Sequence, residues 1–412
     1  MDDRTAVAWI HRRIGLGLSP DQLGAARARG VDAELADLVS ADPGANDPWA
    51  SVEVSADPKA TGAQKTAVVG AWVDHLTVTT TPFADRVAWL LHGWLVSSMD
   101  KARSPAQMVN QIRLFRAAGL GSFPELLRAV TTDPAMLVYL DGRESTGSAP
   151  NENFGRELLE LFALGVGNYG EADVKAGARA LTGWTTGAGE VTAVFRRNRH
   201  DDTPQRYLGT DGVHDVDTVI AAAVAHPAHP RFVARRVARE VLGTVEDPVV
   251  GRLATVYDDN GRRLDAVIAA AVRLGLDGAG SSVVLAPVPW LAMARRSTGA
   301  TLPAKTVARG LGAAGQIPLF PPNVGGWPGG SAWFASATVV ARANLAAALA
   351  AGTAADHPTL AAAGSRDLGL LADRLGVPTG SFGPATTAAL LNAPDPRQRL
   401  ALALVSPEFV IT

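Results

Sequence analysis

Cysteine is absent from all 412 residues, so the chain can build no disulfide and no thiolate metal site. Nothing in its thiol count calls for an oxidising compartment, and the cytoplasm is the expected location. An excess of one charge is equally lacking: 38 Lys+Arg stand against 40 Asp+Glu, a formal net charge of -2. Such a chain has no general positive field to hold a polyanion, which argues against nucleic acid and anionic membrane surfaces as partners. Long hydrophobic runs are missing too. The stretch from Leu345 to Ala355 is alanine-rich and well short of the ~20 residues of a bilayer span, so no segment is expected to cross a membrane. The opening Met1-Asp2-Asp3-Arg4 puts acids where an export signal has bases, and Arg12-Arg13 interrupts any apolar run, so no export signal is expected.

What is present is apolar surface in abundance. The chain is 47% hydrophobic with nine tryptophans and only 19% charged, enough to bury a core rather than remain disordered. Apolar residues recur at helical spacing, as in Phe83, Val87, Leu90, Leu91 and Trp94, or Val216, Val219, Ile220 and Val224. Alternating, strand-like runs are scarce. Between the periodic segments lie Ala118-Gly119-Leu120-Gly121, Thr132-Asp133-Pro134, Leu164-Gly165 and His229-Pro230, where glycine permits positive φ and proline suits a first helical turn. Two stretches break the rhythm as long loops, Asp42 to Gly62 and Ile317 to Trp333. The second is rich in Trp and Pro and reads as an ordered loop, with Ser336 placed to cap the following helix. No linker and no repeat divides the chain. The expectation is an all-α fold, a single compact multi-helix domain over residues 1–412 with a few long ordered loops and at most short β pieces near Val191–Phe195.

Polar constellations mark where chemistry could sit. In Asn151-Glu152-Asn153-Phe154-Gly155-Arg156-Glu157-Leu158-Leu159-Glu160, a turn of ~100° per residue sets Phe154, Leu158, Leu161 and Phe162 on one stripe and Arg156 and Glu160 one turn apart on the other side. Glu157 falls between the bearings of Leu161 and Leu164. A carboxylate there is partly buried and needs a partner, either a structural cation or a role as acid or base. A second cluster, Arg196-Arg197-Asn198-Arg199-His200-Asp201-Asp202, offers a His-Asp pair that could ligate a metal with other carboxylates or form a base with its orienting acid; the structural alternative is a solvated loop. Third, Arg231, Arg235, Arg236 and Arg239 crowd one helix, to clamp an anionic ligand or to pair with acids such as Glu240. His92 among aromatics reads first as a core histidine, and Trp327 and Trp333 as core indoles or as stacking platforms for a sugar or another ring. Gly-x-Ser-x-Gly, His-Glu-x-x-His, the P-loop pattern and a dinucleotide glycine fingerprint are all absent, which closes the common hydrolase, zincin and nucleotide routes.

Taken in order, Arg12-Arg13-Ile14-Gly15-Leu16-Gly17, His92-Gly93-Trp94-Leu95-Val96-Ser97-Ser98, Asp133-Pro134 through Asp141, and Pro150-Asn151-Glu152-Asn153-Phe154-Gly155-Arg156-Glu157-Leu158 form a distinctive series. Ala180-Leu181-Thr182-Gly183-Trp184, His200-Asp201, Pro321-Pro322-Asn323-Val324-Gly325-Gly326-Trp327-Pro328-Gly329-Gly330 and Ser406-Pro407-Glu408-Phe409 continue it. The series resembles a bacterial family, domain-of-unknown-function family 1800, over nearly the whole chain. The resemblance implies one continuous domain. It also implies, by gene neighbourhood, a partner protein of alkaline-phosphatase or sulfatase-like fold acting on a phosphorylated or sulfated substrate. Many relatives carry a histidine two residues after the one matching His92 and another before the Leu-Gly matching Leu120-Gly121. Here Trp94 and Gly119, or its neighbour Ala118, stand there, so any metal those histidines hold in relatives has lost ligands in this chain.

The combined expectation is a polar pocket with Glu157, Glu160, His200 and Asp201 as catalytic candidates. Asn153, Arg156, Trp184, Arg235, Arg236, Asn323 and Trp327 are the ligand-binding candidates, with metal and cofactor left open. Such a pocket would hold an anionic ligand or act as a hydrolase does. The alternative is a non-catalytic binding or assembly module working with the phosphatase-like partner.

Overall fold

The computed structural model describes residues 1–43 and 46–412. Among them, twenty-three α-helices run from Asp3–Arg13 to Pro407–Val410, against four strands of two to four residues each. The helices start where short polar side chains can take a free backbone N–H. Ser19, Ser104, Asp133 and Ser406 each accept one from the turn that follows, and Pro20, Pro105, Pro134 and Pro407 come next, where a missing N–H costs nothing. They stop at the expected breaks: Pro105–Ala118 ends before Gly119, and Phe123–Thr131 before Asp133-Pro134. The fold is all-α, and its main core runs from Trp9 to Val410, with Trp49, Trp72, Trp94 and Trp290 among its buried side chains, beside a small cluster of Val7, Ala8, Leu23 and Ala26. None of the helices among the described residues is long and apolar enough to cross a membrane.

The ends of the chain are bound to each other through this core. Arg12 donates to Phe409 O, Arg13 donates to Val241 O at 2.9 Å and to Thr412 O, and Leu285 N donates to Val410 O at 2.9 Å. This holds the extended segment around Leu285 beside the first and last helices.

Several expectations are corrected. The β piece near Val191–Phe195 exists as Val194–Phe195, paired antiparallel with Trp184–Thr185, but a second hairpin, Gln205–Tyr207 with Thr210–Val213, was not foreseen. Ser336 is not a cap; Ala335 precedes the helix Ser336–Gly352 and no side chain bonds its start. Of the loop expected over Asp42 to Gly62, residues 44 and 45 lie outside the described residues, and the helix Gly62–Val78 begins where the loop was expected to end.

Two helices widen into π turns. Glu152–Glu157 passes into Leu158–Ala163, and His229–Val237 into Ala238–Leu242. A π turn carries one residue more than an α turn, so bearings counted at 100° per residue fail beyond Glu157. The carbonyls released there find other donors: Trp94 Nε1 bonds Leu161 O at 3.1 Å and His229 Nδ1 bonds Ala163 O at 2.9 Å.

Candidate functional site

The helix Pro82–His92 has two polar faces that point apart. Asp85 is fully buried and accepts from Arg116 at 2.7 Å, His75 at 3.0 Å and Thr79 at 2.6 Å. Arg86, about 100° further round, cannot join that network. It begins a stripe of Arg86, Trp89, Leu90 and Gly93 at i, i+3, i+4 and i+7 that lines a cleft of about 600 Å³. The opposite wall repeats the spacing: Arg236, Arg239, Glu240 and Gly243 line the same cleft, the last three on or just beyond the π turn. The extended segment around Leu285, with Gln316, closes one end. The loop from Gly325 to Trp333 closes the other.

That loop is held by backbone geometry. Leu319, buried and left-handed at φ 69°, donates its N–H to His92 Nε2 at 3.0 Å and accepts from Met99 N at 2.8 Å. Burial pushes the His92 imidazole down to about 3, so it is the neutral acceptor this bond requires, as the core reading expects. Gly326, at φ 82°, lies so close to the end of the first wall that a Cβ there would stand 2.4 Å from Gly93 O. Trp327 then stacks on Trp89 with ring centroids 5.1 Å apart and planes 16° from parallel.

Three guanidiniums line the cleft, and among the described residues none of them pairs with a carboxylate. Arg236 donates one terminal nitrogen to Gly93 O at 2.8 Å and lies 5.6 Å above the Trp94 ring, while its Nε is buried without a partner. Arg86 has no hydrogen bond at all, and its Nε is buried. Burial pushes both guanidiniums below their ordinary proton affinity, with Glu240 opposing the shift. Glu240 itself accepts no hydrogen bond. Elsewhere the more exposed arginines pair with acids, as in Arg156–Glu171 at 2.6 Å or Arg113–Asp47 at 2.6 Å, and the buried Arg12, Arg13, Arg296, Arg342 and Arg399 donate to backbone carbonyls, whereas Arg86 has neither kind of partner among the described residues. Unpaired desolvated cations are costly, which sets this cleft apart from the rest of the surface. A smaller cleft of about 230 Å³ near His11 makes the contrast: there Glu34 already takes His11 and Arg29, both at 2.7 Å, and Arg296 is spent on the carbonyls of Leu76 and Thr79.

Of the site residues expected from the sequence, Arg236 and Trp327 line the large cleft, and the others do not. Arg156 pairs with Glu171 rather than with Glu160, which accepts from Tyr169 Oη at 2.7 Å. Glu157 is half-buried with no hydrogen bond; burial, then the charge of Glu160, raises its proton affinity. Asn153 is exposed. His200 donates Nδ1–H to Thr182 O at 2.9 Å, but Asp201 does not orient it: that carboxylate takes Arg179 at 2.7 Å and Thr203 N at 3.1 Å. Trp184 packs on Phe195, itself against His200, as part of the hairpin. Arg235 turns to Asp247 at 3.7 Å together with Arg231, and Asn323 accepts from Gly325 N within its own loop. Of the Glu157/Glu160 helix, the His200-Asp201 loop and the Arg231 helix, expected to converge on one polar cavity, only the Arg231 helix lines the large cleft, through Arg236 and Arg239. No group of three or more His, Asp or Glu among the described residues is arranged to hold a metal ion.

Sequence reasoning missed Arg86, Trp89 and the uncommitted state of Glu240. The available signal was the shared i, i+3, i+4, i+7 pattern of two helices, each ending in glycine, but only packing reveals that the stripes face each other.

Fold and cleft define an all-α protein with a cationic, tryptophan-walled cleft. The chain belongs to the family described as Protein of unknown function (DUF1800), whose model matches residues 9–411. No curated protein and no solved structure matches it.

Proposed function

We propose that the protein binds a small anionic ligand in the cleft between Arg86 and Arg236. The observation that carries this reading is the pair of partly buried guanidiniums without carboxylate partners, in a cleft of about 600 Å³ whose aromatic wall is already packed. An entering phosphate, sulfate or carboxylate would receive charge-assisted hydrogen bonds that no protein group now takes. The residues proposed to bind are Arg86, Arg236 and Arg239, with Trp327 at the wall. Hydrolase-like action remains attached to this cleft only through Glu240, its one lining carboxylate. The cysteine-free composition fits action in the cytoplasm.

Titration calorimetry with inorganic phosphate and sulfate tests the reading. Binding should weaken as salt rises. Arg86→Met should raise the Kd by about tenfold or more, ~1.4 kcal/mol, while leaving the melting temperature unchanged or higher, because an unpaired buried cation is removed. Absence of binding by either anion at millimolar concentration, with no shift in melting temperature, would overturn it.

A second reading, a module that docks on a partner of phosphatase-like fold, has one observation in its favour. Phe334, Val339 and Val340 are exposed directly after the cleft residue Trp333, Val340 at 59%. Val340→Lys should abolish co-sedimentation with such a partner and leave anion binding intact.

A further inference from the structure

We propose that the ligand of this cleft is an acidic carbohydrate, a sugar that carries a phosphate or carboxylate and keeps free hydroxyls; this rests on the anion-binding reading above. A simple anion does not explain Glu240. Its carboxylate stands one turn from Arg236 on the same stripe, lines the same cleft and accepts no hydrogen bond, and toward an anion alone it only repels. It suits a ligand that brings hydrogen-bond donors as well as negative charge, and neighbouring sugar hydroxyls donating to the two oxygens of one carboxylate meet that demand.

Gln316 supplies the complementary group. It is 2% exposed and lines the cleft. Its Oε1 accepts from Val288 N at 2.9 Å, which fixes the amide and leaves its NH₂ without a protein partner, ready for a hydroxyl oxygen. Trp327 supplies the flat surface. Trp89 covers one face and the His92 ring meets it in a T-shaped contact at 5.1 Å; the indole surface left open where Trp327 lines the cleft is a platform for the C–H face of a sugar ring. The volume fits as well: about 600 Å³ exceeds what a lone phosphate needs and lies within the range of roughly 300–1,000 Å³ usual for small-molecule sites. Arg86 and Arg236 thus seat the acid group, Glu240 and Gln316 read hydroxyls, and Trp327 carries the ring.

Titration calorimetry and tryptophan fluorescence with glucose 6-phosphate, mannose 6-phosphate, galactose 6-phosphate and glucuronate test this, with inorganic phosphate, glucose and phenyl phosphate as comparisons. At least one acidic sugar should bind about tenfold or more tighter than inorganic phosphate and change the fluorescence. Glu240→Gln should remove most of that advantage while leaving inorganic phosphate binding unchanged or tighter. The proposal is overturned if every acidic sugar binds no better than inorganic phosphate, if phenyl phosphate outbinds them all, or if Glu240→Gln leaves the sugar advantage intact. In those cases inorganic phosphate still binds and the anion reading stands; if inorganic phosphate and the acidic sugars all fail to bind, both fall together.

Discussion

Asp133 caps the helix Pro134–Tyr139 and accepts from Met136 N at 3.0 Å and Gln111 Nε2 at 2.8 Å, yet it is only 4% exposed. Burial pushes its carboxyl from 3.8 up to about 7, against those hydrogen bonds. The folded state therefore holds a proton that the unfolded state has released, so stability should fall as pH rises from about 4 to about 7 and level off above. Asp133→Asn keeps the cap and the bond from Gln111 but cannot ionise. Its unfolding free energy should match the wild type in acid and exceed it at mildly alkaline pH by an amount on the order of a few kcal/mol, with a correspondingly higher melting temperature there; an equal offset at every pH would contradict the assignment. Glu157 behaves similarly on a smaller scale. It has no partner, and burial and Glu160 both raise its proton affinity, so thermal unfolding of Glu157→Gln should show an unchanged or raised midpoint at neutral pH. A drop of several degrees would mean that Arg156 depends on it, despite the bidentate bond of Arg156 to Glu171. Partial burial of Glu157 was legible from helical spacing. Its lack of a partner was not, because partners come from other elements.

The element that decides the site is the loop from Ile317 to Trp333. Its order is the expectation from the sequence, since proline limits φ, and the burial of Trp333 agrees with it. Its seating was not legible there, since that depends on a carbonyl more than two hundred residues away. Gly93 O accepts from Arg236 and is also the atom a Cβ at Gly326 would strike. Gly326→Ala should thus lift the loop, free Arg236 and lower stability by ~1–3 kcal/mol. The expected readout is a wild-type loop that resists limited proteolysis, a variant cut between Pro321 and Trp333, and loss of phosphate binding in the variant. Retained resistance with normal binding would show that the loop is held some other way.

At the scale of the whole molecule, the continuous core from Trp9 to Val410 leads us to take residues 1–412 as one domain that should unfold in a single cooperative transition. Arg12 and Arg13 are nearly buried, and their acceptors include Phe409 O and Thr412 O. Removing residues 406–412 would leave Arg12 in the interior without its acceptor and Arg13 with only the carbonyls of Val241 and Ser281, at a cost on the order of several kcal/mol. Differential scanning calorimetry should show the truncated chain melting far below the full chain or failing to fold; a small shift in midpoint, or two separate transitions in the full chain, would contradict this view.

The sequence by itself determined the helical class and the places where helices start and stop. These follow from local spacing and from backbone preferences of Ser, Asp, Pro and Gly that act within a turn or two. It also marked Arg236 and Trp327. Tertiary structure alone decided that these two meet Arg86 and Glu240 in one cleft and that His200 stands apart with Thr182. It alone decided that the arginines of one helix divide between Asp247 and the cleft. Adjacent residues on a helix point about 100° apart, and which bearing meets a carboxylate, a carbonyl or open space depends on what the rest of the chain brings to that side.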